Sequence, residues 1–325
     1  MTVPLISVMV PTFNDAERLT YALQSLQSQT FTNYEVLVGD DCSTNNTAAI
    51  AEDFCRSDSR FRLFAYPQNV GMTRHWNRLW KEAKGRFLCK LDGDDAYQPE
   101  MLERLLNLVE AHKAEIGFCR TIDCDANLLP VSSYYGERAM LRHQIEPLQD
   151  AVRNGHDWYR ISFDGYQLWH SNAFMISLEK FRKLGGWDQR WGCSADTDFI
   201  LRILEDGSEV CFSSYPGVLY RRRKGSVFDT FRQKSWHRLE SAAVHLLSLQ
   251  RMWRVKPDVC RSLCSHWRRY WSIWQSEIAA AAKGDREFEG LEAAGVVIEQ
   301  PPLSIRSRIS PASILSQIRS RTGRK

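Results

Sequence analysis

The chain has 325 residues, 25% charged and 43% hydrophobic, values that exclude wholesale disorder and leave room for one large domain or a catalytic domain with an appendage. No apolar run approaches the roughly 18 residues of a membrane span, and the first strand candidate starts almost at Met1 with no room for a leader peptide, so a cytoplasmic protein is expected. The net charge of +4 is uneven: residues 251–325 carry 14 Lys and Arg against 7 Asp and Glu, which leaves the first 250 residues acidic and gives the tail any acidic partner.

Over the first 120 residues short apolar runs alternate with helical patterns. Leu5–Val10 reads as a strand and Ala16–Gln29 as an amphipathic helix with Leu19, Ala22, Leu23 and Leu26 on one face. Strands are expected at Tyr34–Gly39, Phe61–Tyr66, Arg86–Leu91 and Ile116–Arg120. Helices are expected at Thr47–Cys55, Thr73–Ala83 and Pro99–His112, with Pro99 in the first turn of the last. Such alternation implies an α/β fold with a mainly parallel sheet flanked by helices, whose right-handed crossovers bring the strand ends to one edge.

Those ends carry the polar residues: Pro11-Thr12-Phe13-Asn14, then Asp40-Asp41-Cys42-Ser43, then Leu91-Asp92-Gly93-Asp94-Asp95. Ligands of open α/β sheets bind at this edge. Three carboxylates within four residues repel one another unless a cation neutralises them, and hard oxygen ligands select Mg²⁺ or Mn²⁺. The same stretch also reads as an ordinary acidic turn. Neither a Gly-x-Gly-x-x-Gly nor a P-loop follows the first strand. The nine scattered cysteines include no Cys-x-x-Cys pair and read as reduced structural thiols.

Residues 121–165 read as an irregular insertion with one or two short helices and aromatics at Tyr134, Tyr135, Trp158 and Tyr159. Beyond it, Gly185-Gly186-Trp187-Asp188 leads to a helical pattern over Thr197–Glu205, with Ser194 as N-cap and Asp196 and Asp198 in its first turn. A carboxylate held ionised there suits a general base, although acids are common at helix starts. Val210–Ser213 and Val218–Arg221 read as two short strands, followed by the cations Arg221, Arg222, Arg223 and Lys224. Helices are expected over Ser235–Arg254 and Val259–Ala282, the second rich in Trp and Arg. Its pattern fits either packing on its own domain or peripheral membrane contact. Ser304–Lys325 is basic and acid-free.

Taken together, these segments resemble the family 2 glycosyltransferases, which have the GT-A fold and use nucleotide sugars. The resemblance rests on Ile6 to Asn14, on Leu26-Gln27-Ser28-Gln29-Thr30 with Asp40 to Thr47, on Asn69-Val70-Gly71 through Trp76-Asn77, on Asp92-Gly93-Asp94, and on Gly185 to Asp188 with Asp196 and Asp198. It covers about residues 5–226 and implies a GT-A domain over 1–230, with a nucleotide-binding half (1–120) and an acceptor half (121–230). A helical region (231–300) and a basic tail (301–325) would follow.

By that resemblance Pro11, Thr12, Phe13, Asn14, Asp41 and Asp92 would bind the nucleotide sugar, and Asp94 with Asp92 would hold Mg²⁺ or Mn²⁺. Asp196 would be the base of an inverting transfer, with Asp198, Trp187 and Arg223 as acceptor or phosphate contacts. The implied partners are a nucleotide-diphosphate sugar and a glycan or lipid-linked acceptor in surface-polysaccharide synthesis, at the inner face of the membrane, with no nucleic acid. Two departures stand out. Ala195 replaces the usual Glu, which leaves the choice of base between Asp196 and Asp198 open, and Arg223 stands where many members have His. A sugar nucleotidyltransferase and a non-catalytic glycan-binding protein are the rival readings; the first lacks its Gly-rich loop at Pro11–Asp15, and retention of Asp92, Asp94 and Asp196 argues against the second.

Overall fold

The computed structural model describes residues 3–132, 137–164, 169–223 and 236–281. Tyr134, Tyr135, Lys224 and the tail 301–325 lie outside the described residues. The chain divides into two compact units, Met1–Gln233 and Lys234–Lys325.

The first unit opens with β1 (Ile6–Thr12), α1 (Ala16–Gln27), β2 (Tyr34–Asp40), α2 (Thr47–Ser57), β3 (Phe61–Ala65), α3 (Met72–Leu79) and β4 (Phe87–Lys90). Every residue of β1, β2 and β4 is buried, as both faces of a central strand between helix layers must be. The edge strand β3 is half-buried. Helix α1 buries Leu19, Ala22, Leu23 and Leu26, the face its periodicity predicts, into a core shared with Val8, Val36 and Leu105. A single 3₁₀ turn, Trp80–Glu82, extends α3.

The unit continues through β5 (Ala96–Tyr97), α4 (Met101–Ala111), β6 (Ile116–Cys124), β7 (Pro130–Ser132), α5 (Glu137–Arg142), β8 (Ala151–Asn154) and α6 (Gly155–Asp164). Then come β9 (Phe174–Ser177), α7 (Leu178–Lys183), α8 (Ala195–Leu204) and β10 (Glu209–Arg221). The sheet order is β3-β2-β1-β4-β9-β6-β10-β5, with β7 added on β6 and β8 on β10. Strands β3, β2, β1 and β4 are parallel, whereas β9 is antiparallel to both β4 and β6, and β6 is parallel to β10.

Four expectations change. Pro99 precedes α4 instead of occupying its first turn, because the helix starts after Glu100. The two short strands before Arg221 are one strand with an irregularity between Ser213 and Val218. Helix α8 starts at Ala195, two residues early, and the Ser194 hydroxyl makes no capping bond to its N–H groups. Residues 121–165 contribute three strand segments as well as α5 and α6.

In the second unit α9 (Trp236–Val255), α10 (Pro257–Ser262) and α11 (Cys264–Ala281) replace the two expected helices, with a break at Leu263. Trp253 meets Trp267 edge-on at 5.7 Å, His245 stacks on Tyr270 at 4.1 Å, and Arg238 pairs with Glu277. Two aromatics of the Trp-rich helix are therefore used in packing α11 on α9. No described helix is long and apolar enough to cross a membrane.

Candidate active site

The parallel strands bring Thr12, Asp40 and Lys90 to one edge of the sheet. Two antiparallel steps, β4 to β9 and β9 to β6, restore the original direction, so β6 and β10 end at the same edge and deliver Arg221 and Arg223 to it. Thr12, the acidic turn after β4 and the end of β10 are thus neighbours by topology.

The acidic turn is neutralised by cations of the protein. Lys90 Nζ lies 2.6 Å from Asp92 Oδ1 and donates to Asn172 Oδ1 (2.9 Å) and Ser171 Oγ (3.3 Å) while sitting 4.3 Å over the Trp76 ring. Arg223 Nε donates to Asp94 Oδ2 at 2.9 Å, and its guanidinium is 3.7 Å from Asp15. Burial works against the charge of Arg223, yet Asp94 and Asp15 raise its pKa overall. Arg221 donates from Nε to the Asp94 carbonyl and from its backbone N–H to Asp95 Oδ1. Asp95 is buried and also accepts from Asn172 Nδ2; burial, and then Asp94 and Asp92, push its pKa well up. Repulsion among the three acids is relieved by two ion pairs and one displaced titration.

At the end of β1, Gly93 packs against Thr12, where an added Cβ would lie 3.1 Å from Thr12 Oγ1. That hydroxyl is buried without a hydrogen-bond partner. Pro11 is buried within β1, and Phe13 is 45% exposed just beyond its end. Asn14, at φ 54°, accepts from the Thr44 N–H and donates its own N–H to Ser43 Oγ. Asp41 is buried and accepts from the N–H groups of Val70 and Gly71, which fixes the turn that starts α3. Beside it, burial lowers the pKa of His75.

The second constellation is built on α3. Asn77 donates to the Trp187 carbonyl (2.6 Å) and accepts from the Trp187 N–H (3.1 Å), while Thr73 donates to the Trp191 carbonyl. Gly186 adopts φ +72°, and a Cβ there would lie 2.6 Å from Asn77 Oδ1, so glycine is required on both counts. Trp187 is buried against Trp76, Phe181 and Phe199. Asp198 is buried and pairs at 2.7 Å with Arg202, which also donates to the carbonyls of Leu184 and Gly186. Asp198 and Trp187 therefore hold the loop in place. Asp196 is half-buried, and its Oδ1 accepts from the Thr197 N–H at 2.7 Å.

Sequence reasoning missed Lys90 as a member of this site and read Arg221 only as one of four consecutive cations suited to a pyrophosphate or an acidic surface. A lysine inside the apolar run Phe87-Leu88-Cys89-Lys90-Leu91 was the available signal, since a lysine is almost never fully buried without a partner.

No group of three His, Cys, Asp or Glu side chains is arranged to hold a metal among the described residues. Asp92 and Asp94 each use one carboxylate oxygen on a protein cation and keep the other for a further ligand. This donor set fits a Mg²⁺ or Mn²⁺ ion held by one or two carboxylates with substrate oxygens completing the shell, and does not fit an all-protein cage.

Residues 7–165 match the family model described as Glycosyl transferase family 2. The chain is 25% identical over 238 residues to Glycosyltransferase GlyG of Streptococcus pneumoniae serotype 4, covering 72% of this chain and 76% of that one. It spans only 24% to 47% of the next three curated relatives it matches. S. aureus TarS in complex with UDP-GlcNAc superposes with a TM-score of 0.56 at 18% identity, over 82% of this chain and 79% of that one. Mannosyltransferase PcManGT of Pyrobaculum calidifontis, in complex with GDP-Man and Mn²⁺, gives 0.53 at 16% identity over 91% and 79%. The fold is the GT-A fold with a helical C-terminal extension. Over residues 7–165 the chain matches the family 2 glycosyltransferases, and its curated relatives include a glycosyltransferase matched over most of its length.

Proposed function

We propose that the protein transfers one sugar, with inversion, from a nucleotide-diphosphate sugar to a hydroxyl of a glycan or lipid-linked glycan in polysaccharide synthesis. The observation that carries the reading is the convergence of Thr12, the Asp92 to Asp95 turn and Arg223 on one sheet edge, with Asp196 at the start of α8. Nucleotide-sugar complexes of GT-A proteins, with UDP-GlcNAc and with GDP-Man, support the donor class.

In this reading the base stacks on the exposed Phe13 ring, and Asp92, held by Lys90, accepts from the ribose hydroxyls. Asp94 is the principal ligand of a divalent ion, which would supply positive charge to the leaving diphosphate. Arg223 adds a fixed cation to the same oxygens. Asp196 takes the proton of the acceptor hydroxyl as its oxygen bonds to the anomeric carbon from the face opposite the diphosphate. The bond from that carbon to the phosphate oxygen breaks, and its electron pair leaves with the nucleoside diphosphate. Asp198 is too committed to Arg202 to be the base. The half-buried Trp271 and Trp274, beside Arg268 and Arg269 on α11, are the face available to a membrane surface. The GT-A domain, 1–230, lies within the first unit and is followed by the helical region 231–300 and the basic tail.

The test is release of nucleoside diphosphate from a panel of UDP-, GDP- and dTDP-sugars, with acceptor glycans, in Mn²⁺ and in chelator. Release from one donor, reduced by chelator, supports the reading; absence of both release and donor binding rejects it.

A further inference from the structure

Arg74, Arg78 and Lys81 line one cleft of about 240 Å³ together with Asn77 and Gln189. Their spacing places the three cations on one face of α3 and its 3₁₀ extension. All three are exposed, and none has a carboxylate within ion-pair distance among the described residues, whereas nearby Arg62, Arg86 and Arg190 each pair with one. No acid lines the cleft. Arg78 lies 5.5 Å over the Tyr66 ring, which leaves its charge unneutralised. Three cations without a carboxylate partner in a concave surface repel one another and concentrate anions, and guanidinium groups match phosphate oxygens in particular.

The cleft is also tied to the site. Its floor, Asn77, is bonded to both the N–H and the carbonyl of Trp187, and its wall, Gln189, belongs to the same loop. That loop runs through Trp191, held by Thr73, into α8 and Asp196. Helix α3 follows Gly71, whose N–H bonds Asp41 at the sheet edge. Arg74 is one turn from that edge, and Lys81 lies about 10 Å further along the helix.

We propose that this cleft binds a phosphate or diphosphate group carried by the acceptor. The inference rests on the glycosyltransferase reading and adds the acceptor's charge: the acceptor is a phosphate-linked glycan, anchored by Arg74, Arg78 and Lys81 while its hydroxyl reaches Asp196.

Titration of the full chain with inorganic pyrophosphate tests it. Wild type should bind pyrophosphate at two sites, one at Arg223 and one in the cleft. The triple variant Arg74→Gln, Arg78→Gln, Lys81→Gln should lose the cleft site, weakening it at least about tenfold, and Arg223→Gln should weaken only the other. A missing Arg223 site with the cleft site intact would count against the donor reading alone. Wild-type stoichiometry and affinity in the triple variant would overturn the proposal. So would an equal loss in Arg56→Gln, which removes a surface cation outside the cleft and so reports net charge. Sedimentation with phosphatidylglycerol vesicles separates a lipid surface: vesicle binding lost in the triple variant, with pyrophosphate binding unchanged, would also overturn the proposal.

Discussion

Lys90 and Asp92 form an ion pair of 2.6 Å in which the lysine is 0% exposed and the aspartate 29%. A buried ammonium needs every donor satisfied, and Asn172, Ser171 and the Trp76 face supply the remainder. The same Trp76 packs on Trp187, so one ring separates the acidic turn from the acceptor-side loop.

Replacing Lys90 by Met should leave Asp92 without its partner and the Asn172 amide without its donor. Removing one member of such a pair costs on the order of 3 kcal/mol, moderated by the partial exposure of Asp92. The donor KM should rise more than kcat falls, because the lysine positions a binding carboxylate and touches no reacting atom. Denaturant melts and donor-dependent kinetics check both parts.

Arg223 pairs with the Asp94 carboxylate, and on the proposed reading it would compete there with a divalent ion. Arg223→Gln should therefore lower the Mn²⁺ concentration needed for half-maximal rate, while kcat falls by about tenfold or more through lost charge on the leaving diphosphate. A Mn²⁺ activation curve for each protein reads the two effects separately. An unchanged half-activating concentration would show that Asp94 is not the shared ligand.

The two acids of α8 should behave differently. Asp198→Asn weakens the clamp through which Arg202 holds Leu184 and Gly186, so a loss of thermal stability should accompany any loss of rate. Melting curves should move less for Asp196→Asn, whose amide oxygen can still accept from the Thr197 N–H. Comparing melting temperature with activity for the pair assigns the roles.

His245 gives the second unit a pH dependence. Burial holds its imidazole down at about 4, with Arg269 and His266 assisting and the Ser241 carbonyl opposing. Between the unfolded value near 6.5 and about 4, the unfolded chain takes up a proton that the folded chain does not, so stability falls as pH drops through this window and levels off below it. His245→Phe keeps a ring against Tyr270 and removes the titration. Corrected for intrinsic exchange rates, amide protection on α9 and α11 should fall between pH 6.5 and 5 in the wild type, and markedly less in the variant.

The first 120 residues were legible because their signals are local. Leu19, Ala22, Leu23 and Leu26 repeat at the helical period, and each parallel strand is an apolar run bounded by polar residues. Strand β9 and helix α7 were not read: a four-residue strand with three buried apolar residues in a row carries no alternation, and the pairing of Phe174–Ser177 with β4 and β6 is decided at long range. The break at Leu263 was missed because apolar periodicity continues across it. The acidic turn pointed to a need for positive charge, but sequence could not show that Lys90, two residues upstream, and Arg223, 129 residues away from Asp94, answer much of it. Likewise Asp198 and Asp196 look equivalent in sequence, and burial with the Arg202 ion pair sets Asp198 apart.

The most direct measurement is a paired one on Asp196→Asn: calorimetric titration with the nucleotide sugar that the wild type uses, and single-turnover transfer to acceptor. The account predicts donor binding within about twofold of wild type, with transfer slowed by about 10² to 10⁴, as removal of a general base requires. Transfer at the wild-type rate would contradict Asp196 as the base and with it the inverting mechanism assigned to this site.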